Sequence, residues 1–261
     1  MSWFDRWRRA RILKRHAIPF ADFDAALTRL PILHRLNASE RARLREAASL
    51  FIHDKAFSAA GGAEVDDASQ IAIALQACLL TLNLGEESYR GWSEIILYPD
   101  EFLRPREEMD EAGVVHHSRD ILAGESWHGG PLVLSLADVA SSGQADGVNV
   151  VLHEFAHKLD MLNGDANGFP PLHRGMDAAA WARDFSTAYA DLSARVDAGE
   201  DTAIDPYATA SPAEFFAVLT EVFFETPRLL DTEYPAVYRQ LQQFYRQHPL
   251  AVTPAGAAGA P

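Results

Sequence analysis

Residues 151–160 read Val-Leu-His-Glu-Phe-Ala-His-Lys-Leu-Asp, and this stretch decides the fold. His153 and His157 are four positions apart, so on a helix their imidazoles lie one above the other and can bind one zinc ion. Glu154 follows the first histidine, and from that position its carboxylate can take the proton of a metal-activated water. The stretch therefore predicts a helix that carries the metal site of a hydrolase.

The residues around this motif favour an amphipathic helix over 147–162. Its apolar positions recur at helical spacing and are expected to form one buried face; they are Val148, Val151, Leu152, Phe155, Leu159 and Leu162. Asn163-Gly164 is expected to end the helix, because glycine accepts the positive φ of a helix terminus.

A zinc site of this type needs a third protein ligand. The long metzincin pattern is excluded, because Asp160 stands where it requires glycine and Asn163 where it requires histidine. Asp160 lies on the histidine face, one turn beyond the metal. It is interpreted either as a hydrogen-bond acceptor or helix-end partner for the site, or as a plain surface or capping aspartate.

The best candidate for the third ligand is Glu214, within Ser211-Pro-Ala-Glu-Phe-Phe-Ala-Val-Leu-Thr-Glu221. The same residues also match a capping box with proline at the first helical position, so the pattern alone does not separate a ligand from a cap. Glu221 lies two turns further on the same side of the helix. It is either a rival ligand or an acceptor for a histidine N–H.

The rest of the chain indicates an α+β fold, with a small mixed sheet packed by helices. Strands are expected at 94–99, 114–115 and 131–136, and a loop at 59–62. Ser39 is expected to cap a helix that ends near Phe51. Further helices are expected at 66–84, 177–198, 211–226 and 234–247. Cys78 lies on an apolar helical stripe and is expected to be a core residue.

Charge is distributed unevenly along the 261 residues. The formal net charge is −14, yet residues 1–50 hold 11 of the 23 Lys and Arg and only 5 of the 37 acids. The acidic remainder argues against direct nucleic-acid binding. No apolar run is long enough to cross a bilayer, and one cysteine without a secretory signal favours the cytoplasm.

Residues 1–20 form a basic arm rich in aromatic residues. Its aromatic and basic residues are Trp3, Phe4, Trp7, Arg6, Arg8, Arg9, Arg11, Lys14 and Arg15. We expect a solvated, partly ordered arm that can fold against the acidic body; the alternative is a contact with anionic lipid or an acidic partner. Residues 251–261 have nothing to pack and are expected to be a disordered tail.

Several of these stretches together resemble one family. They are Asn149 to Asp165, Tyr207, Ser211 to Glu221, Trp92-Ser-Glu-Ile-Ile-Leu-Tyr-Pro99 and Gly130-Pro-Leu-Val-Leu134. They are similar to the Mlc titration factor A (MtfA) family of bacterial zinc peptidases. The likeness covers roughly residues 20–250, which leaves the first 20 residues and the tail outside it.

The resemblance implies a single zincin-like catalytic domain over 21–250, with an N-terminal helical part and a gluzincin-type site. His153, His157 and Glu214 would bind one zinc ion per chain, and Glu154 would act as the base. The family is also similar to the catalytic core of anthrax lethal factor, where a tyrosine seven residues before the glutamate ligand assists catalysis. Tyr207 occupies that position and would donate a hydrogen bond to the oxyanion; the alternative is a packed loop tyrosine.

The family is known for weak aminopeptidase-like activity and for binding the glucose repressor Mlc. The resemblance therefore implies a zinc-dependent peptidase that acts on a peptide or protein substrate and has a transcriptional repressor as partner. A second hypothesis is a zinc-stabilised regulatory protein that sequesters a repressor with little or no turnover. A third is a purely structural metal site.

Overall fold

The computed structural model describes residues 3–99, 107–109, 115–117 and 130–251 and is rich in helices. The α-helices are α1 (Trp3–His16), α2 (Phe20–Arg29), α3 (Ala38–Asp54), α4 (Asp67–Thr81), α5 (Leu136–Ser141), α6 (Val150–Asp160), α7 (Ala178–Asp197), α8 (Pro212–Glu225), α9 (Pro227–Glu233) and α10 (Pro235–Tyr245). Among these residues, no helix combines the length and the apolar character needed to cross a membrane.

Within the described ranges, two small sheets accompany the helices. Strands β1 (Ala56–Ala59), β2 (Glu94–Tyr98) and β5 (Leu132–Ser135) form a parallel sheet in the order β1-β2-β5. Strands β3 (Glu107–Met109) and β4 (Val115–His117) form a separate antiparallel pair. Helix α4 lies between β1 and β2 in the chain, as a parallel connection requires a crossover.

The sheet corrects two sequence-based expectations. The strands predicted at 94–99 and 131–136 are confirmed as β2 and β5, but the expected mixed sheet is wrong, because the three-stranded sheet is parallel throughout. The loop predicted at 59–62 begins one residue too early, since Ala59 ends β1. Of the strand predicted at 114–115, residue 115 begins β4 and residue 114 lies outside the described residues.

Helix ends also differ from the prediction. The α3 cap is Asn37, which forms a complete capping box with Glu40, so the prediction of Ser39 was wrong by two residues. Prolines begin three successive helices, because proline lacks the N–H that a first helical turn leaves unused. The proline at 227 creates α9, which the sequence analysis did not predict.

The buried face of α6 is shorter than expected. The helix spans Val150–Asp160 and passes into a 3₁₀ turn over Met161–Asn163, after which Gly164 has a φ of 147°. Val148 and Leu162 lie beyond the helix ends and are 53% and 40% exposed, so their assignment to the buried face was wrong. The predicted core positions between them are buried.

Asn149 ties α6 to two other helices. Its side-chain oxygen accepts the backbone N–H of Leu152 at 2.8 Å and so caps α6. Its amide nitrogen donates to Gln76 of α4 at 2.7 Å and to Glu225 of α8 at 2.6 Å. All three side chains are buried, so water cannot satisfy their polar atoms and they depend on these hydrogen bonds. The network therefore fixes the position of α6 relative to α8.

The Asn149→Ala substitution is expected to lower the free energy of unfolding by about 2–4 kcal/mol, because it removes a helix cap and leaves two buried polar groups without their partner. Asn37→Ala is the matched control, since Asn37 caps α3 at the surface, and about 1 kcal/mol is expected there. Urea unfolding of both variants measures the difference. Equal losses would show that the bonds to α4 and α8 contribute nothing.

Helix α1 packs on α3, so Trp3–His16 is more ordered than the solvated, partly ordered arm that the sequence predicted. Arg8 pairs with Asp54 at 2.8 Å and Arg9 with Glu46 at 3.0 Å, and Ile12 is buried between the helices. The ion pairs are at the surface and contribute little individually. Of the tail expected at 251–261, residues 252–261 lie outside the described residues.

Candidate metal centre

The two histidines of α6 point their outer nitrogens at the same place. His153 Nε2 and His157 Nε2 are 3.2 Å apart, and the two ring centroids are 4.8 Å apart. Both side chains are largely buried, because α6 packs against α8. The four-residue spacing therefore produces the pair of neighbouring imidazoles that the sequence predicted.

Glu214 reaches this pair from the first turn of α8. Its Oε2 atom lies 2.9 Å from His153 Nε2 and 3.4 Å from His157 Nε2. Ser211 caps α8 by accepting the backbone N–H of Glu214 at 3.2 Å. Cap and ligand are therefore not exclusive alternatives, since the backbone of Glu214 is used by the cap and its carboxylate lies beside the histidines.

The three atoms fit the coordination sphere of a small divalent cation. Tetrahedral zinc with ligand bonds of about 2.0–2.1 Å places neighbouring ligand atoms about 3.3 Å apart, and the separations here are 2.9, 3.2 and 3.4 Å. Among the described residues, these three side chains are the group that could hold a metal ion. Two nitrogens and one carboxylate oxygen are donors that suit zinc.

Glu221 fixes the orientation of His153. Its Oε1 accepts a hydrogen bond from His153 Nδ1 at 2.7 Å, and its Oε2 accepts the backbone N–H of Asn149. With Nδ1 as the donor, a neutral His153 presents the lone pair of Nε2 to the place where Glu214 and His157 converge. Of the two roles left open for Glu221, the structure favours the acceptor.

The site attracts positive charge. Burial lowers the pKa of His153, but hydrogen bonds to Glu214 and Glu221 outweigh it and raise that pKa to about 10. Burial also opposes ionisation of Glu214, yet its bonds to the two histidines hold its pKa well below the usual range. Where no other cation is bound, the imidazole of His153 therefore keeps a proton beside the ionised carboxylate of Glu214.

Asp160 anchors a loop at the end of α6. Its Oδ2 accepts the backbone N–H groups of Asn167 at 2.8 Å and Gly168 at 2.6 Å. The carbonyl of Gly168 accepts the indole N–H of Trp181 in α7. Gly168 has a φ of 76°, and a side chain there would clash with the backbone of Pro212 at the start of α8. Asp160 is thus a helix-end partner that holds this loop close to the site.

The remaining two candidates lie beside the histidines. Glu154 is half-buried on α6 and directly follows His153. Tyr207 is half-buried in a 3₁₀ turn over Pro206–Thr209, and its ring centroid is 6.2 Å from that of His153. Asp205 starts this turn by accepting the backbone N–H of Tyr207 at 2.9 Å. Five residues from three chain segments are therefore brought together.

Sequence reasoning missed the residues that support the site from outside. Asn149, Gln76 and Glu225 form the buried network described above. One signal was available, since Gln76 is a polar residue within the apolar run of α4 and so required a buried partner. The identity of that partner depends on tertiary packing, which spacing along the chain does not reveal.

The Glu221→Ala substitution is expected to weaken zinc binding about 10- to 100-fold, because His153 loses the acceptor that orients its ring. Glu221→Gln keeps an acceptor and should recover part of the affinity. Glu233→Ala is the matched control, because Glu233 of α9 pairs with Arg195 rather than with a histidine or the Asn149 network. Competition with a zinc-binding dye measures all three affinities, and equal affinities for the two alanine variants would contradict this role.

Similarity to known proteins covers nearly the whole chain. The family model described as glucose-regulated metallo-peptidase M90 matches residues 4–246. Mlc titration factor A of Salmonella gallinarum is 41% identical over 248 residues, which cover 93% of this chain and 91% of the relative. The protein of the same name from Salmonella arizonae is 42% identical over 232 residues, covering 87% and 91%. Because the family match begins at residue 4, the expectation that the first 20 residues lie outside the resemblance was wrong.

Proposed function

The chain belongs to the glucose-regulated metallo-peptidase M90 family, and on that premise we propose that it is a zinc-dependent peptidase of the gluzincin type. The observation that carries the proposal is the convergence of His153 and His157 of α6 with Glu214 of α8, with Glu154 following His153 on α6. We assign the three converging residues as metal ligands and Glu154 as the general base. Residues 21–250 are proposed as one catalytic domain, working in the cytoplasm.

Three residues around the proposed metal ligands have separate roles in the proposed hydrolysis. Bound zinc would supply a Lewis acid that acidifies water and polarises the scissile carbonyl. Glu154 accepts the proton of the attacking water and passes it to the leaving amine. Tyr207 donates its phenol O–H to the oxygen on which negative charge develops. Glu221 keeps His153 in one orientation throughout.

Strand β5 is the proposed docking place for the substrate backbone. It pairs only with β2 among the described strands, so its other edge offers backbone hydrogen bonds to an extended peptide. Lys158 of α6 donates to the carbonyl of Gly130 at 3.0 Å, which joins the start of this strand to the catalytic helix. A peptide added to β5 would therefore lie at a fixed distance from Glu154.

Chelation is expected to abolish hydrolysis without unfolding the protein. The residues that fix α6 and α8 include a buried apolar core and the Asn149 network, so the fold does not depend on a metal alone. Aminoacyl-anilide hydrolysis and circular dichroism, followed during phenanthroline treatment and zinc re-addition, test this. Loss of the circular dichroism signal together with activity would favour the structural metal site instead.

A second function is favoured by the name of the relatives. Mlc titration factor A is named as a factor that titrates Mlc, and we propose that this chain also binds an Mlc-like repressor. A reporter gene under that repressor separates the two roles in cells carrying Glu154→Gln. Continued derepression would favour sequestration, whereas lost derepression with normal binding would favour proteolysis as the biological role.

A further inference from the structure

The outward face of α1 combines indole rings with positive charge. Trp3 is 73% exposed and Trp7, one turn later, is 47% exposed. Three exposed cations lie on the same side of the helix: Arg6, Arg11 and Lys14. The guanidinium of Arg11 lies 5.4 Å from the centre of the Trp7 ring. Large exposed aromatic residues are uncommon on a protein surface, and here two of them share a face with cations.

The inner and outer faces of α1 are used differently. Arg8 and Arg9 face α3 and pair with its acids, and Ile12 is buried there. By contrast, no carboxylate within the described part of the chain lies at ion-pair distance from Arg6, Arg11 or Lys14. The inner face therefore holds α1 on the body, and the outer face keeps its charge available to a partner.

We propose that this outer face docks the protein on an anionic lipid surface. Tryptophan favours the boundary between lipid headgroups and acyl chains, and arginine and lysine are attracted to anionic headgroups. An acidic protein would satisfy the cations but would not by itself explain two exposed indoles four residues apart. Indoles at headgroup depth, with cations beside them that reach the headgroups, would use both kinds of side chain on this face.

The charge of the whole chain is compatible with this docking. Helix α1 carries six Lys and Arg and one Asp, although the protein has a net charge of −14. At physiological salt, charges further than about 8 Å from the surface are largely screened. An anionic membrane therefore attracts α1 and repels the acidic body only weakly, which orients the protein with α1 towards the lipid.

Vesicle binding of the full-length protein tests the proposal independently of peptidase activity. The protein should sediment with phosphatidylcholine vesicles that contain phosphatidylglycerol, but not with vesicles of phosphatidylcholine alone. High salt should release the bound protein from the anionic vesicles. Arg6→Ala/Arg11→Ala should weaken binding about 25-fold, about fivefold per cation near an anionic surface. Arg228→Ala/Arg239→Ala is the matched control, because it removes two exposed arginines from α9 and α10 and should have no effect on binding.

The tryptophans provide the second arm of the test. Trp3→Ala/Trp7→Ala should also lose vesicle binding, while its thermal unfolding stays close to that of the unaltered protein because both rings are exposed. Equal losses for the two arginine pairs would overturn the proposal. Binding to polyglutamate that is as tight as binding to vesicles and independent of the tryptophans would also overturn it, in favour of an acidic polypeptide partner.

Discussion

Replacing Glu154 by glutamine is expected to slow peptide hydrolysis about 10²- to 10⁴-fold, the usual contribution of a general base, while zinc is retained. Glutamine has nearly the same shape but cannot accept the proton of the attacking water. The residue is half-buried, directly follows His153 and is not among the three converging ligand residues, so the metal site should survive. Steady-state kinetics and metal analysis of the same preparation measure the hydrolytic rate and the zinc content.

The control for this variant is Glu64→Gln. Glu64 is an exposed glutamate in the loop before α4, and removal of its charge should leave hydrolysis unchanged. Full hydrolytic rate in Glu154→Gln with normal zinc content would show that another group takes the proton. Loss of zinc in that variant would instead mean that Glu154 is part of the metal site.

Removing the carboxylate of Glu214 should be still more damaging, because it deletes one of the three proposed ligands. Glu214→Ala is expected to weaken zinc binding by more than the roughly 10- to 100-fold that follows loss of a supporting residue, and to abolish hydrolysis. Equilibrium dialysis against a zinc buffer measures the affinity. The prediction follows from the position of Oε2 within 3.4 Å of both histidine nitrogens.

Ser211→Ala separates the ligand role of this segment from its cap role. Ser211 caps the same helix turn through the backbone of Glu214. Its removal should cost about 1 kcal/mol of stability and leave zinc binding intact. If Ser211→Ala lost zinc as Glu214→Ala does, the position of the helix start, rather than the carboxylate, would control the site.

The positions of the candidate metal-binding side chains were easier to predict from the sequence than the bounds of the elements around them. His153, Glu154 and His157 follow from local spacing on one helix, which folding does not alter. Glu214 lies 61 residues beyond His153. The sequence pattern made it a candidate ligand, but no local spacing could predict that it contacts the histidines. That expectation came from the family resemblance. For Glu221 the sequence left a ligand and an acceptor open, and the hydrogen bond to His153 Nδ1 favours the acceptor, a distinction that depends on how two helices pack.

The errors have local physical causes. Strand β1 has only four residues, Ala-Phe-Ser-Ala, and is recognisable only from its pairing with β2. The parallel arrangement of the sheet depends on the crossover through α4, which periodicity does not show. Val148 and Leu162 fit the apolar pattern of α6 but fall beyond its ends, where the chain turns away and exposes them. Helix ends are the least predictable part of a helix.

The most direct test of the account is anomalous diffraction from crystals of the zinc-loaded protein, recorded on both sides of the zinc absorption edge. We predict one strong peak per chain at about 2.0–2.2 Å from His153 Nε2, His157 Nε2 and a carboxylate oxygen of Glu214. A peak at another place, or none at this site in a crystal that holds zinc elsewhere, would contradict the metal centre and with it the proposed peptidase.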